Sequence, residues 1–195
     1  MFTATKFVRM AAVTGMAVAT LAFPSLSNAA SAAPAAAAVK TTSAGSSLKA
    51  ALAKSEAGIC IRGHVQDEGW QDWDCDSEFV WAGTTGESLR LEAVEIATAK
   101  TGGVCLQGHV ENYGWGKKKC TTKNGAPVRV GTTGQSLRLE AVRISAAKKN
   151  GLSFGIQGHV ENYGWGKVKY SHGTKYAQVG TTGQSLRLEA LRVWI

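Results

Sequence analysis

The run Gly108-His109-Val110-Glu111-Asn112-Tyr113-Gly114-Trp115-Gly116 is followed by Gly131-Thr132-Thr133-Gly134-Gln135-Ser136-Leu137-Arg138-Leu139-Glu140-Ala141. Both segments recur almost letter for letter at 158–165 and 180–190, and more loosely at 63–70 and 83–93. In the loose copy Gln66-Asp67-Glu68 stands where the second has Glu111-Asn112-Tyr113. His64, His109 and His159 are separated by 45 and then 50 residues, a period that marks a repeat architecture.

Within a copy the apolar pattern is that of short strands. Val104, Leu106 and Val110 alternate with Cys105, Gln107 and His109, the period of a half-buried strand. Asn112-Tyr113-Gly114 supplies turn residues, so Trp115 to Cys120 returns as a second strand. Val128 to Val130 is a third. Leu137 to Ile144 is a fourth, and its apolar phase slips by one at Glu140-Ala141, the mark of a β-bulge. About 45 residues are too few to bury a core alone. The reading is therefore all-β: three tandem four-stranded repeats (58–100, 101–150 and 151–195) in one pseudo-threefold domain. A β-prism-like arrangement is expected, each unit forming its own small sheet, with a β-trefoil as the alternative.

The His-Val-Gln-like strand, the Gly-Trp pair, Gly-Thr-Thr-Gly-Gln and Arg-Leu-Glu-Ala together resemble the ChW repeat, the clostridial hydrophobic repeat with a Trp. All three copies carry these elements, so the resemblance covers about residues 58–195. It implies a secreted or surface-attached bacterial protein that binds or adheres, with no enzymatic activity established for the family.

Cys60 and Cys75 are 15 residues apart, as are Cys105 and Cys120; in the third copy both slots are replaced together, by Gly155 and Tyr170. A pair lost as a unit reads as a disulfide, and the two bridges expected are Cys60–Cys75 and Cys105–Cys120. A zinc site is the alternative, at a spacing foreign to the common finger patterns. Export is expected from the N-terminus. Lys6 and Arg9 precede an apolar run from Met10 to Phe23, and Ser27-Asn28-Ala29 offers a cleavage site, so residues 1–29 read as a signal peptide. Residues 30–57 are rich in Ala and Ser and read as a linker, with a short helix available to Ser46–Glu56.

The chain carries 22 basic and 14 acidic side chains, unevenly shared. Copy one has three basic against nine acidic; copy two has nine against two. Such a basic face suits an anionic extracellular or cell-wall polymer. No nucleic-acid-binding motif is present, so nucleic acid is not an expected partner, nor is a membrane once the signal is removed.

An enzyme is not expected. Ser136, in Gly134-Gln135-Ser136-Leu137-Arg138, lacks the second Gly of a nucleophile elbow, copies two and three contain no Asp, and three near-equal copies do not build one asymmetric catalytic centre. Gly-Thr-Thr-Gly lacks the Lys of a phosphate loop; its glycines suit a tight turn with positive φ. No cofactor or metal is expected. The candidate ligand-binding residues are His109, Tyr113 and Trp115, His159, Tyr163 and Trp165, and, in the copy lacking the Tyr, His64 and Trp70. An indole beside small glycines and amides is a sugar-stacking surface; the competing reading makes each Trp a core anchor. Arg90 with Glu92, Arg138 with Glu140, and Arg187 with Glu189 read as structural ion pairs. The expectation is a secreted binding module for carbohydrate or a cell-wall polymer, one site per repeat. The alternatives are a protein–protein adhesion or structural surface protein and, more weakly, a small hydrolase or inhibitor.

Overall fold

The computed structural model describes Leu48, Leu52, residues 58–76 and residues 79–195. The expected signal peptide and all of the linker but those two leucines lie outside the described residues.

The described chain is a β-prism. The first repeat supplies β1 (Gly58–Val65), β2 (Gly69–Trp70), β3 (Asp74–Asp76), β4 (Phe79–Gly83) and β5 (Leu91–Ala99). The second supplies β6 (Val104–Val110), β7 (Gly114–Trp115), β8 (Lys119–Thr121), β9 (Val128–Gly131) and β10 (Leu139–Ala146). The third supplies β11 (Gly155–Val160), β12 (Gly164–Trp165), β13 (Lys169–Tyr170), β14 (Ala177–Gly180) and β15 (Leu188–Trp194). The expected second strand is thus two short ones, because the segment after Trp115 leaves the ladder at Gly116 and rejoins at Lys119.

The pairing departs from the expectation that each unit forms its own sheet. The first sheet runs β2-β1-β5-β9, with β3 also on β1, so its outer strand comes from the second repeat. The second sheet takes β14 from the third repeat, and the third sheet takes β4 from the first. Each repeat thus passes its penultimate strand to a neighbour, and β4 on β15 closes the ring, with Phe79 opposite Trp194 and Gly83 opposite Ala190. A tight approach at the strand end accommodates the exchange. A Cβ on Gly131 would lie 2.2 Å from the Glu92 carbonyl oxygen, and φ there is +92°. Only glycine allows that edge to close on β5. Gly83 and Gly180 do the same at +101° and +87°.

One core fills the prism. Leu91, Leu139 and Leu188, with Val94, Val142 and Leu191, are wholly buried at equivalent places in β5, β10 and β15. The phase slip is a bulge as expected. Leu139 pairs with Val110 and Ala141 with His109, leaving Glu140 as the extra residue.

Both disulfides are present, Cys60–Cys75 and Cys105–Cys120, each between residues paired in register, which removes the zinc reading. In the third repeat Gly155 and Tyr170 are the paired residues, and the Tyr170 ring lies where a Cβ on Gly155 would stand, 3.0 Å from that point. An aromatic over a strand glycine covers the bare backbone that the disulfide covers elsewhere. Leu48 and Leu52, helical and 4 % exposed, pack on Cys60, Ala97 and Ala99 beside Trp73. The first disulfide is therefore roofed from outside the repeats.

Candidate binding sites

The bulge builds the first element of each site. By displacing Glu140 it brings the carboxylate beneath His109, with Nδ1 and Oε2 3.0 Å apart. Nδ1 is buried, and the carboxylate lies off the best hydrogen-bond direction, so the two groups are close without a formed hydrogen bond. Arg138 Nε donates to Glu140 Oε1 at 3.0 Å, and its Nη1 donates to Glu111 at the hairpin. The third repeat repeats this ladder: His159 beside Glu189, and Arg187 joining Glu189 to Glu161. In the first repeat His64 and Arg90 meet Glu92, and Gln66 replaces the hairpin carboxylate. Glu92, Glu140 and Glu189 are only 5–6 % exposed. A carboxylate so buried persists only when cations and hydrogen bonds compensate it, which is what Arg90, Arg138 and Arg187 provide.

The second element is the indole. His109 meets Trp115 edge-on, ring centroids 5.2 Å apart, and His64–Trp70 and His159–Trp165 share that spacing. The register sets this, because each His pairs with its Trp across the hairpin. All three indoles are half-buried, neither core anchors nor bare platforms. A guanidinium covers each. Arg143 stands 3.8 Å over Trp115 and Arg192 3.9 Å over Trp165. Trp70 instead has Arg62 at 4.7 Å and Arg129 at 4.8 Å, both paired with Glu95. These cation–π contacts contribute about 0.5–2 kcal/mol each. Sequence reading missed them because the Arg comes from a different strand; the one available signal was an Arg recurring at the same place in β10 and β15.

The stacks extend outward. Arg143 also lies 4.5 Å over Tyr176, and Arg192 is flanked by Phe79, while Trp81 and Tyr176 are 42 % and 51 % exposed. Tyr113 and Tyr163 are 65 % and 66 % exposed. Each Tyr lines a groove between sheets. The groove of the second repeat holds about 270 Å³ between Gly108, Gly116 and Lys119 on one side and Val130, Gly131 and Thr132 on the other. That of the third holds about 200 Å³ at the equivalent residues. Among the described residues no group of three or more His, Cys, Asp or Glu could hold a metal ion.

The pattern of the family described as Clostridial hydrophobic W matches residues 64–99, 109–146 and 159–195. Neither a curated protein nor a solved structure matches the chain. The three matches span each repeat from its His to the end of its last strand and together cover more than half of the sequence, so the chain belongs to the ChW family.

Proposed function

We propose that this is a secreted, non-enzymatic module that binds a polysaccharide or cell-wall polymer through one weak site per repeat. The observation that supports it most is the aromatic–guanidinium stack on the outside of each sheet: Trp115–Arg143–Tyr176 on the second, and Trp165–Arg192 with Phe79 on the third. Flat rings beside forked donors suit sugars, whose apolar faces stack and whose hydroxyls accept hydrogen bonds. The guanidiniums extend this to anionic polymers. Three sites on one rigid prism turn weak contacts into avidity. A non-enzymatic role is favoured by the ion-pair ladder: each His faces a carboxylate already held by Arg138 or its counterparts, an arrangement that positions side chains and is repeated three times.

The test is retention of the mature protein on insoluble cell wall and on a glycan array. Retention that soluble polymer competes away is the expected result. A folded protein that passes through every carbohydrate and wall matrix would overturn the proposal.

A further inference from the structure

In the first repeat the groove between sheets is filled by the protein itself. Gln71 occupies the place of Gly116 and Gly166, its backbone N–H donating to Gly63 as theirs do to Gly108 and Gly158. Its carboxamide grips the edge of β4 at two points: Gly83 N–H donates to Oε1 at 2.7 Å, and Nε2 donates to the Gly83 carbonyl at 3.2 Å. Asp74 completes the seal by accepting from Trp81 N–H at 2.8 Å.

The other two grooves have the same edge and, among the described residues, no such seal. Thr132 N–H donates to the Glu92 carbonyl, so Gly131 and Ala93 are a pair that exchange no ladder bonds. The N–H and C=O of Gly131 therefore point off β9, the outer strand, into the groove. Gly180 does likewise on β14, where Thr181 donates to Glu140. Opposite them stand Gly116 and Gly166, with no side chain to offer. Where Asp74 sits in the first repeat, Lys119 and Lys169 are exposed at the rim, joined by Lys117 and Lys167.

We infer that the grooves of the second and third repeats bind an acidic ligand bearing a primary carboxamide, the group that Gln71 supplies internally in the first. The chemistry is restrictive. A donor and an acceptor must lie side by side to meet N–H and C=O of one glycine. A primary carboxamide has that arrangement. The acetamido group of an N-acetylated sugar has its N–H and C=O opposed across a trans amide, and a carboxylate has no donor. The lysine rim takes the anionic group that Asp74 contributes in the first repeat. This site stands beside the aromatic stacks and does not depend on sugar binding there.

The test is an NMR titration of the labelled protein with N-acetylglutamine, which carries both groups, against N-acetylglutamate and N-acetylglucosamine. The Gly131 and Gly180 amide resonances should shift with N-acetylglutamine while that of Gly83 stays still, and N-acetylglutamate should need at least tenfold more. Gly116→Gln with Gly166→Gln should plug both grooves and abolish the shifts. These variants should fold, since a Cβ at either position meets only a carbonyl oxygen at 3.6 Å, an ordinary contact. Gln71→Gly alone should leave Gly83 unresponsive, because Asp74 stands where the lysine rim takes the anion, and adding Asp74→Lys should make Gly83 respond as a third site. No shift with N-acetylglutamine, equal response to N-acetylglutamate or N-acetylglucosamine, or shifts that persist in the plugged double variant would each overturn the inference. Polymer retention by the plugged variant, whose aromatic stacks are intact, reports separately on the sugar reading.

Discussion

The first repeat and the other two share a backbone and differ in what they do with it. The bulge, the His–Trp contact and the glycine at the exchanged edge are the same in all three. At the centre of the outer face the first repeat places Glu95 between Arg62 and Arg129, whereas the second places Arg143 between Gln107 and Gln178. Its groove is plugged by Gln71, and theirs are open. Apolar and glycine positions fix the prism, while the polar positions between them are free to diverge. The first repeat reads as one that has kept the structural role and closed its groove.

The largest effect that could break this comparison is loss of a whole repeat. Because β4 completes the third sheet, removing residues 58–100 should abolish the cooperative melt of the remainder. A stable two-repeat protein by calorimetry would mean that the ring need not close. Next comes Arg138→Ala, which leaves buried Glu140 and hairpin Glu111 without their shared cation. A cost of about 3–5 kcal/mol is expected. The matching Arg90→Ala should cost less, because Gln66 replaces one carboxylate. Chemical denaturation of the two variants measures the difference.

Disulfide reduction sharpens the contrast further. Each bridge should contribute about 3 kcal/mol in the chain-entropy model. The rates should differ, because Cys60 is fully buried under Leu48 and Leu52 while Cys120 is exposed. Mass mapping during mild reduction should show Cys105–Cys120 opening first; the reverse order would mean that the two leucines do not protect the other.

Much of the architecture was legible in the sequence. The repeat period, the cysteine spacing and the apolar slip at Glu140-Ala141 led to the three units, both bridges and the bulge, because each is a local pattern. Strand exchange was not legible, since nothing within Val128–Gly131 says whether it pairs with β10 or with β5. The site was half legible. His and Trp recur at fixed spacing and meet across a hairpin, a short-range consequence of register. The guanidinium over the indole and the groove between sheets arise from strands far apart in the chain. The Gln71, Gly116 and Gly166 differences that reveal the groove carry meaning only once Gly83, Gly131 and Gly180 are known to face them.

The central functional claim is that the repeated indoles carry polymer binding, unequally. The direct measurement is binding and melting on the same three proteins: Trp70→Ala, Trp115→Ala, and Trp115→Ala with Trp165→Ala. Half-buried indoles should cost about 1–3 kcal/mol each, below the 3–5 kcal/mol of a core aromatic, so the variants should stay folded. Polymer binding should weaken several-fold in Trp115→Ala, least in Trp70→Ala, and far more than additively in the double variant through lost avidity. Unchanged polymer binding by a folded double variant would contradict the account and move recognition to another face of the prism.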